Sequence, residues 1–243
     1  MGAAFGWGFL AGSSLILGGL IALRLPISKL ALGLIMAFGA GVLISAVAYE
    51  LVLEGYTTSA GSGGVALGLL AGAVTFFVGD MAIDAYGGEH RKKSSGAQAG
   101  GSALAIVLGI VLDGIPESIV LGISLLGGGG VAMAVVAAVF LSNLPEAIAA
   151  TTGLTASGWK PERIMGLWLG VALVSAISAV AGYALLDGAS PRTIAFVTAF
   201  AGGAILTMLA DTMMPEAFEH GGKLVGLFTT LGFLTSFWIT TLE

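Results

Sequence analysis

Cysteine is absent from the 243-residue chain. No disulfide framework and no thiolate metal site can form, and cysteine usage says nothing about the redox compartment. Histidine occurs only as His90 and His220, so a His-Glu-x-x-His motif is missing, which argues against an intramembrane zinc hydrolase and against an enzyme generally. Charge is scarce: 9% of residues are Asp, Glu, Lys or Arg, against about 25% in soluble globular proteins. No basic run interleaved with aromatic residues is present, which removes the usual footprint of nucleic-acid binding. No phosphate-binding Gly-Lys motif is present either, so ATP is not expected to drive anything here.

What is present is apolar. Hydrophobic residues make up 57% of the chain and glycines number 40. A chain of this kind cannot cover its surface with polar groups in water, whereas glycine is tolerated in membrane helices, where small residues allow close packing. The expected fold is therefore an all-α polytopic membrane protein with the lipid bilayer as its solvent. A spanning helix needs about 20 mostly apolar residues, and eight stretches meet that rule: 4–23, 31–53, 64–86, 102–126, 130–153, 163–186, 192–215 and 223–242. The first, Phe5 to Leu23, has no basic start and no clear cleavage site, and it is expected to be a retained helix rather than a signal peptide. The longest polar link, 87–101, is expected to be a cytoplasmic loop.

The basic residues support this count. Arg24, Lys29, Arg91, Lys92, Lys93, Lys160, Arg163 and Lys223 fall in loops that eight spans place on one side, and Arg192 alone falls on the other. Basic loops face the cytoplasm, so both termini are expected to be extracytoplasmic, in a cell membrane.

Acids inside the apolar stretches need a reason, because a charge at the bilayer centre costs at least ~2.5–3.5 kcal/mol. Span 4 contains Asp113-Gly114-Ile115-Pro116-Glu117-Ser118, and span 5 contains Ser142-Asn143-Leu144-Pro145-Glu146-Ala147. Asp113 and Glu117 are four residues apart and share a helix face, as do Ser142 and Glu146. Pro116 and Pro145 lack an N–H, which frees the carbonyls of Leu112 and Leu141. Bent helices with freed carbonyls at the midplane are a recurring way to build cation sites in transporters. The short 127–130 link suggests that spans 4 and 5 are antiparallel neighbours. The candidate metal ligands are Asp113, Glu117, Asn143, Glu146 and Ser142. The plainer reading is that these acids are protonated and only hydrogen-bond between helices.

Further acids sit toward the span ends. Glu50 and Glu54 close span 2 and are candidates for the outer mouth of a cation path. Asp80 and Asp84 on span 3, with Asp211, Glu216 and His220 around the end of span 7, are candidates for its inner mouth. Glu89, His90 and Glu219 are expected in inner loops. The similar endings of spans 2 and 7 suggest an inverted repeat of spans 1–3 and 6–8 around the central pair, a common transporter architecture.

At these residues the chain resembles the ZIP (Zrt/Irt-like) family of divalent metal transporters, in a divergent prokaryotic-type form. Its motifs in spans 4 and 5 are similar to the Asp113-to-Ser118 and Ser142-to-Ala147 segments. The span 2 ending resembles the family's His-x-x-Pro-Glu, with Glu50 in the His place, Leu53 in the Pro place and Glu54 retained; Met214-Pro215-Glu216 matches a similar ending. The resemblance implies eight spans arranged 3+2+3, zinc as the transported ion and import into the cytoplasm. The departures are that Asp113 and Ser142 replace the motif histidines, Gly114 replaces the first Asn, and span 6 has no acid between Glu162 and Asp187. One central metal is expected rather than two. An oxygen-rich ligand set also permits Mn²⁺, Fe²⁺ or Cd²⁺.

The expected function is transport of a divalent metal ion, with zinc first, by alternating access and with no resident cofactor. The competing expectations are a proton-coupled carrier of a small organic solute, using the same acids as relays, and a selective channel. Small-residue faces such as Gly68-x-x-x-Gly72 permit a homodimer.

Overall fold

The computed structural model describes residues 1–59, 61, 63–88, 103–126 and 131–242. Glu89, His90, most of the expected 87–101 loop and the 127–130 link lie outside the described residues. Among the described residues there is no β-strand.

The helices follow the apolar runs. They are α1 (Gly2–Arg24), α2 (Lys29–Ala46), α3 (Glu54–Thr58), α4 (Gly64–Ile83), α5 (Ala103–Ile123), α6 (Met133–Ala156), α7 (Pro161–Leu186), α8 (Pro191–Met208), α9 (Met214–Gly221) and α10 (Val225–Thr240). Local chemistry sets several ends. The hydroxyl of Ser28 accepts from Ala31 N–H and that of Ser190 from Thr193 N–H, each at 3.2 Å, capping α2 and α8. Pro161 and Pro191 stand in the first turns of α7 and α8, where a missing N–H costs nothing. α6 ends on Gly158 at φ +83°, with Trp159 N–H donating to the Leu154 carbonyl at 3.0 Å; this is a Schellman closure that needs a residue tolerant of positive φ.

Seven continuous helical stretches are long and apolar enough to cross a bilayer. With their burial pattern they make the chain a multi-pass helical membrane protein. The boundaries differ from the sequence expectation in two places. The second stretch does not stop at 53 but runs from Lys29 to Thr58, because a wide π-type segment, Val47–Leu53, joins α2 to α3 without a break. The expected spans 192–215 and 223–242 lie in one 50-residue stretch, Pro191–Thr240. Within it a second π segment, Leu209–Met213, joins α8 to α9, and Gly222 at φ +53° separates α9 from α10.

The helices sort into two groups. α1 packs on α6 and α7, and α5 packs on α7; α4 packs on α8, and α10 on α2. The first group has its own core, including Leu15, Ile106, Leu154, Ile164 and Trp168. A larger core lies between the groups, where Met36, Leu43 and Leu51 meet Val120, Val135 and Ile205.

Glycines decide how closely the second group packs. A Cβ on Gly41 of α2 would fall on the carbonyl of Thr229 in α10, and one on Gly232 would fall on the carbonyl of Phe38. A Cβ on Gly203 of α8 would fall on the carbonyl of Leu69 in α4, and one on Gly72 on that of Phe200. The two crossings are alike: Phe38 and Gly41 answer to Phe200 and Gly203, while Thr229 and Gly232 answer to Leu69 and Gly72; α5 and α7 repeat the pattern, a Cβ on Gly122 falling on the carbonyl of Ala179 and one on Gly182 on that of Ile119. The Gly68-x-x-x-Gly72 face is therefore not a free dimer surface. Its two glycines lie against Phe196, Ala199 and Phe200 of the same chain.

In the first group, the indole N–H of Trp168 donates to the hydroxyl of Thr151 at 2.8 Å, both residues being buried. Gly19 leaves room for the ring, since its Cβ would lie 2.5 Å from Trp168 Cδ1. Trp168→Phe takes away the donor and part of the packing. A loss of about 1–3 kcal/mol is expected, to be read by equilibrium unfolding in mixed micelles; an unchanged midpoint would deny this bond its role.

Candidate metal site

Both motifs lie within long helices, Pro116 inside α5 and Pro145 inside α6. Neither proline has an N–H to offer the carbonyl four residues back. Nearby hydroxyls bond to other carbonyls of the same helices: Ser118 Oγ donates to the Gly114 carbonyl at 2.7 Å, and Ser142 Oγ to that of Val139 at 3.1 Å. Ser142 keeps its oxygen lone pairs for a further partner.

All five candidate ligands are buried: Asp113 and Glu117 are 2% exposed, Ser142 0%, Asn143 5% and Glu146 9%. Asp113, Glu117 and Glu146 each take part in polar or electrostatic contacts. Their neighbours explain their positions. Gly39 of α2 faces the second motif, where its Cβ would lie 3.1 Å from Pro145 Cγ and 3.3 Å from Ser142 Cα. Gly114 faces Ser175 of α7, whose Oγ would be 3.8 Å from a Cβ there, so the first motif rests against α7 with a little space. Glu117 borders a narrow cleft otherwise lined by apolar side chains, among them Leu43, Val47 and Leu51 from the α2 stretch, Val139 of α6 and Ile205 of α8. It therefore stands at the seam between the two helix groups.

The expectation that α5 and α6 are close neighbours needs correction. They touch only sparingly; α6 lies chiefly on α1 and α2, and α5 on α7 and α8. Among the described residues no three His, Cys, Asp or Glu side chains gather closely enough to hold a metal ion. The carboxylates of the two motifs share burial and motif, but they do not form a ready-made cage. As a donor set, three carboxylates and an amide suit a hard or borderline divalent cation.

Glu50 and Glu54 both line a cavity of about 490 Å³ between the ends of the α2 stretch and α5 and the beginnings of α6 and α8. The cavity and the cleft at Glu117 share Val120 and Val135 in their linings, so the cleft lies directly behind the cavity. The cleft holds only about 10 Å³ of free space, the threshold for a single water.

The acids assigned to the inner mouth are less uniform. Asp80 is buried at 8% exposure. Asp84 opens the π segment Asp84–Gly88 and is half-buried. Asp211 is exposed on the second π segment. Glu216 is 4% exposed, and its Oε1 lies 3.1 Å from Nε2 of His220. This is a pairing one helical turn apart, and the structure brings no third ligand to it among the described residues.

The sequence reading missed Thr58, Ser124 and Thr198, which line the larger cavity beside the two acids. Isolated Ser and Thr in apolar helices carry no signal, because they routinely bond to their own backbone. Val120 and Val135 were missed because nothing in a linear sequence separates a valine facing a cavity from one facing lipid. Compared with protein-family models and with curated proteins, the chain matches none.

Proposed function

We propose that this chain is a ZIP-like carrier that moves divalent metal ions, zinc first among them, across the cell membrane by alternating access. The observation that carries the reading is Glu117: a buried carboxylate within a Pro-Glu motif, at the seam of two helix groups, behind a cavity with two further carboxylates at its mouth. In hydrocarbon such a charge asks for a cation.

In this reading the 50-residue stretch crosses twice, turning at Gly222, since a straight helix of that length would measure ~75 Å against a hydrocarbon core of ~30 Å. Eight passes follow, with both termini extracytoplasmic by the distribution of basic loops. The inverted 3+2+3 arrangement in this reading rests on the similar endings of spans 2 and 7. One group moving against the other would open the path alternately past Glu50 and Glu54 and past Asp80, Asp84 and Glu216.

A carrier of small organic solutes is favoured by the size of the larger cavity. It is disfavoured by the cleft at Glu117, which has space for about one water. The deciding measurement is uptake of Zn²⁺, Mn²⁺, Fe²⁺ and Cd²⁺ into proteoliposomes. Saturable uptake of at least one is expected from the wild type, with loss in Glu117→Ala and Glu146→Ala. Metal transport is refuted if the wild type moves none of them, or if both variants retain full uptake.

A further inference from the structure

The larger cavity is more than a passage for a bare ion. At about 490 Å³ it falls within the ~300–1,000 Å³ of small-molecule sites. It reaches the surface, since exposed Glu54, Thr58 and Pro191 are among its lining residues. Its deeper wall is aliphatic, formed by Val120, Ile123, Val135 and Ile194. A wall of that kind rewards an apolar body rather than a hydration shell.

The charge at the cavity has one sign. Among the described residues, Glu50 and Glu54 are the ionisable ones in its lining, and Arg192, next to Pro191, is exposed and not part of it. The first turns of α6 and α8 reach the cavity through Ala132 and Pro191, and each helix start carries a partial positive charge of about half a unit. The last turn of α5, through Ile123 and Ser124, carries the opposite partial charge. Two carboxylates in the ionised form would outweigh the remainder.

We propose that this cavity binds small amphiphilic organic cations: a primary ammonium group between Glu50 and Glu54, and an aliphatic body against the Val120–Val135–Ile194 wall. The proposal concerns binding alone and does not rest on the metal-transport reading.

The test is a ligand-observed NMR titration of cyclohexylmethylammonium against the full-length protein in lipid nanodiscs, without metal and with empty nanodiscs subtracted. Its neutral counterpart, cyclohexylmethanol, is titrated in parallel. The expected result is a Kd below about 1 mM for the amine, within the usual ligand efficiency for a molecule of this size, and at least tenfold weaker binding of the alcohol. Glu50→Gln combined with Glu54→Gln is expected to weaken the amine at least tenfold, and Ser124→Trp, which fills part of the cavity, to weaken both probes. No amine binding above the nanodisc background overturns the proposal. So does equal binding of amine and alcohol, or an unchanged affinity in the folded double glutamine variant. The amine–alcohol comparison uses the wild type, so it decides even where a variant does not fold. A chain that moves no metal can still bind the amine, and a metal carrier can still ignore it, so the two readings fail separately.

Discussion

Leucine at Gly203 is expected to prevent the protein from reaching its folded state. The reason is geometric. A Cβ there would clash with the backbone carbonyl of Leu69, and backbone, unlike a side chain, has no rotamer by which to yield. α4 and α8 would have to separate along their whole crossing, and packing at that crossing is much of what holds membrane helices together, since lipid offers them no hydrophobic incentive to associate. The cost is expected to exceed ~3 kcal/mol, the upper end of ordinary overpacking. Gly41→Leu should fail equally, because it meets the carbonyl of Thr229 in the equivalent crossing of α2 and α10. Gly226→Leu and Gly170→Leu are the controls: a Cβ at either position meets nothing within 4 Å, and a change within about 0.5 kcal/mol is expected. Thermal unfolding and size-exclusion profiles in detergent read the difference. A monodisperse Gly203→Leu protein melting alongside the wild type would show that the α4–α8 crossing is looser than described.

The second large effect concerns charge rather than shape. Glu117→Gln preserves the volume and hydrogen-bonding outline of a protonated glutamic acid, so the fold should survive. If Glu117 works as an ionised ligand, the cation loses a charged partner in a low-dielectric cleft. Removing one member of a buried pair costs roughly 3–5 kcal/mol, and 1.4 kcal/mol is a factor of ten, so metal flux should fall by about 100-fold or more. Glu146→Gln should behave in the same way. If instead the two acids are neutral hydrogen-bonding groups, glutamine is a faithful substitute and flux is kept. Proteoliposome uptake, measured beside the melting temperature of each variant, separates the outcomes. A stable Glu117→Gln protein with wild-type flux would return the acids to a structural role.

Much of the architecture was legible in the chain. Apolar runs of about twenty residues have one stable form in lipid, a helix that satisfies its own backbone, and α1, α4, α6 and α7 lie close to where those runs were found. Within the links between those runs, the structure puts Pro161 and Pro191 in the first turns of α7 and α8 and Gly222 between α9 and α10. The long α2 stretch shows where this reasoning stopped. Nothing local distinguishes an α turn from the π segment Val47–Leu53, because both satisfy the same donors and the choice depends on what the wider turn packs against. The 68–72 small-residue face shows a second limit. Its capacity for close packing was evident, but its partner, α8 of the same chain, was not.

What the sequence determined by itself is the solvent and the chemistry. Composition dictates lipid, and two Pro-Glu motifs dictate buried carboxylates, because transfer energies and a missing N–H belong to residues wherever they lie. Only the tertiary structure decided which of those groups share a space. It placed α5 mainly against α7 and α8 rather than beside α6, set Glu117 at the seam between helix groups, and shaped a surface-open cavity at Glu50 and Glu54. Such proximity arises from side chains distant in sequence filling one another's gaps, and no periodicity along a single helix encodes it.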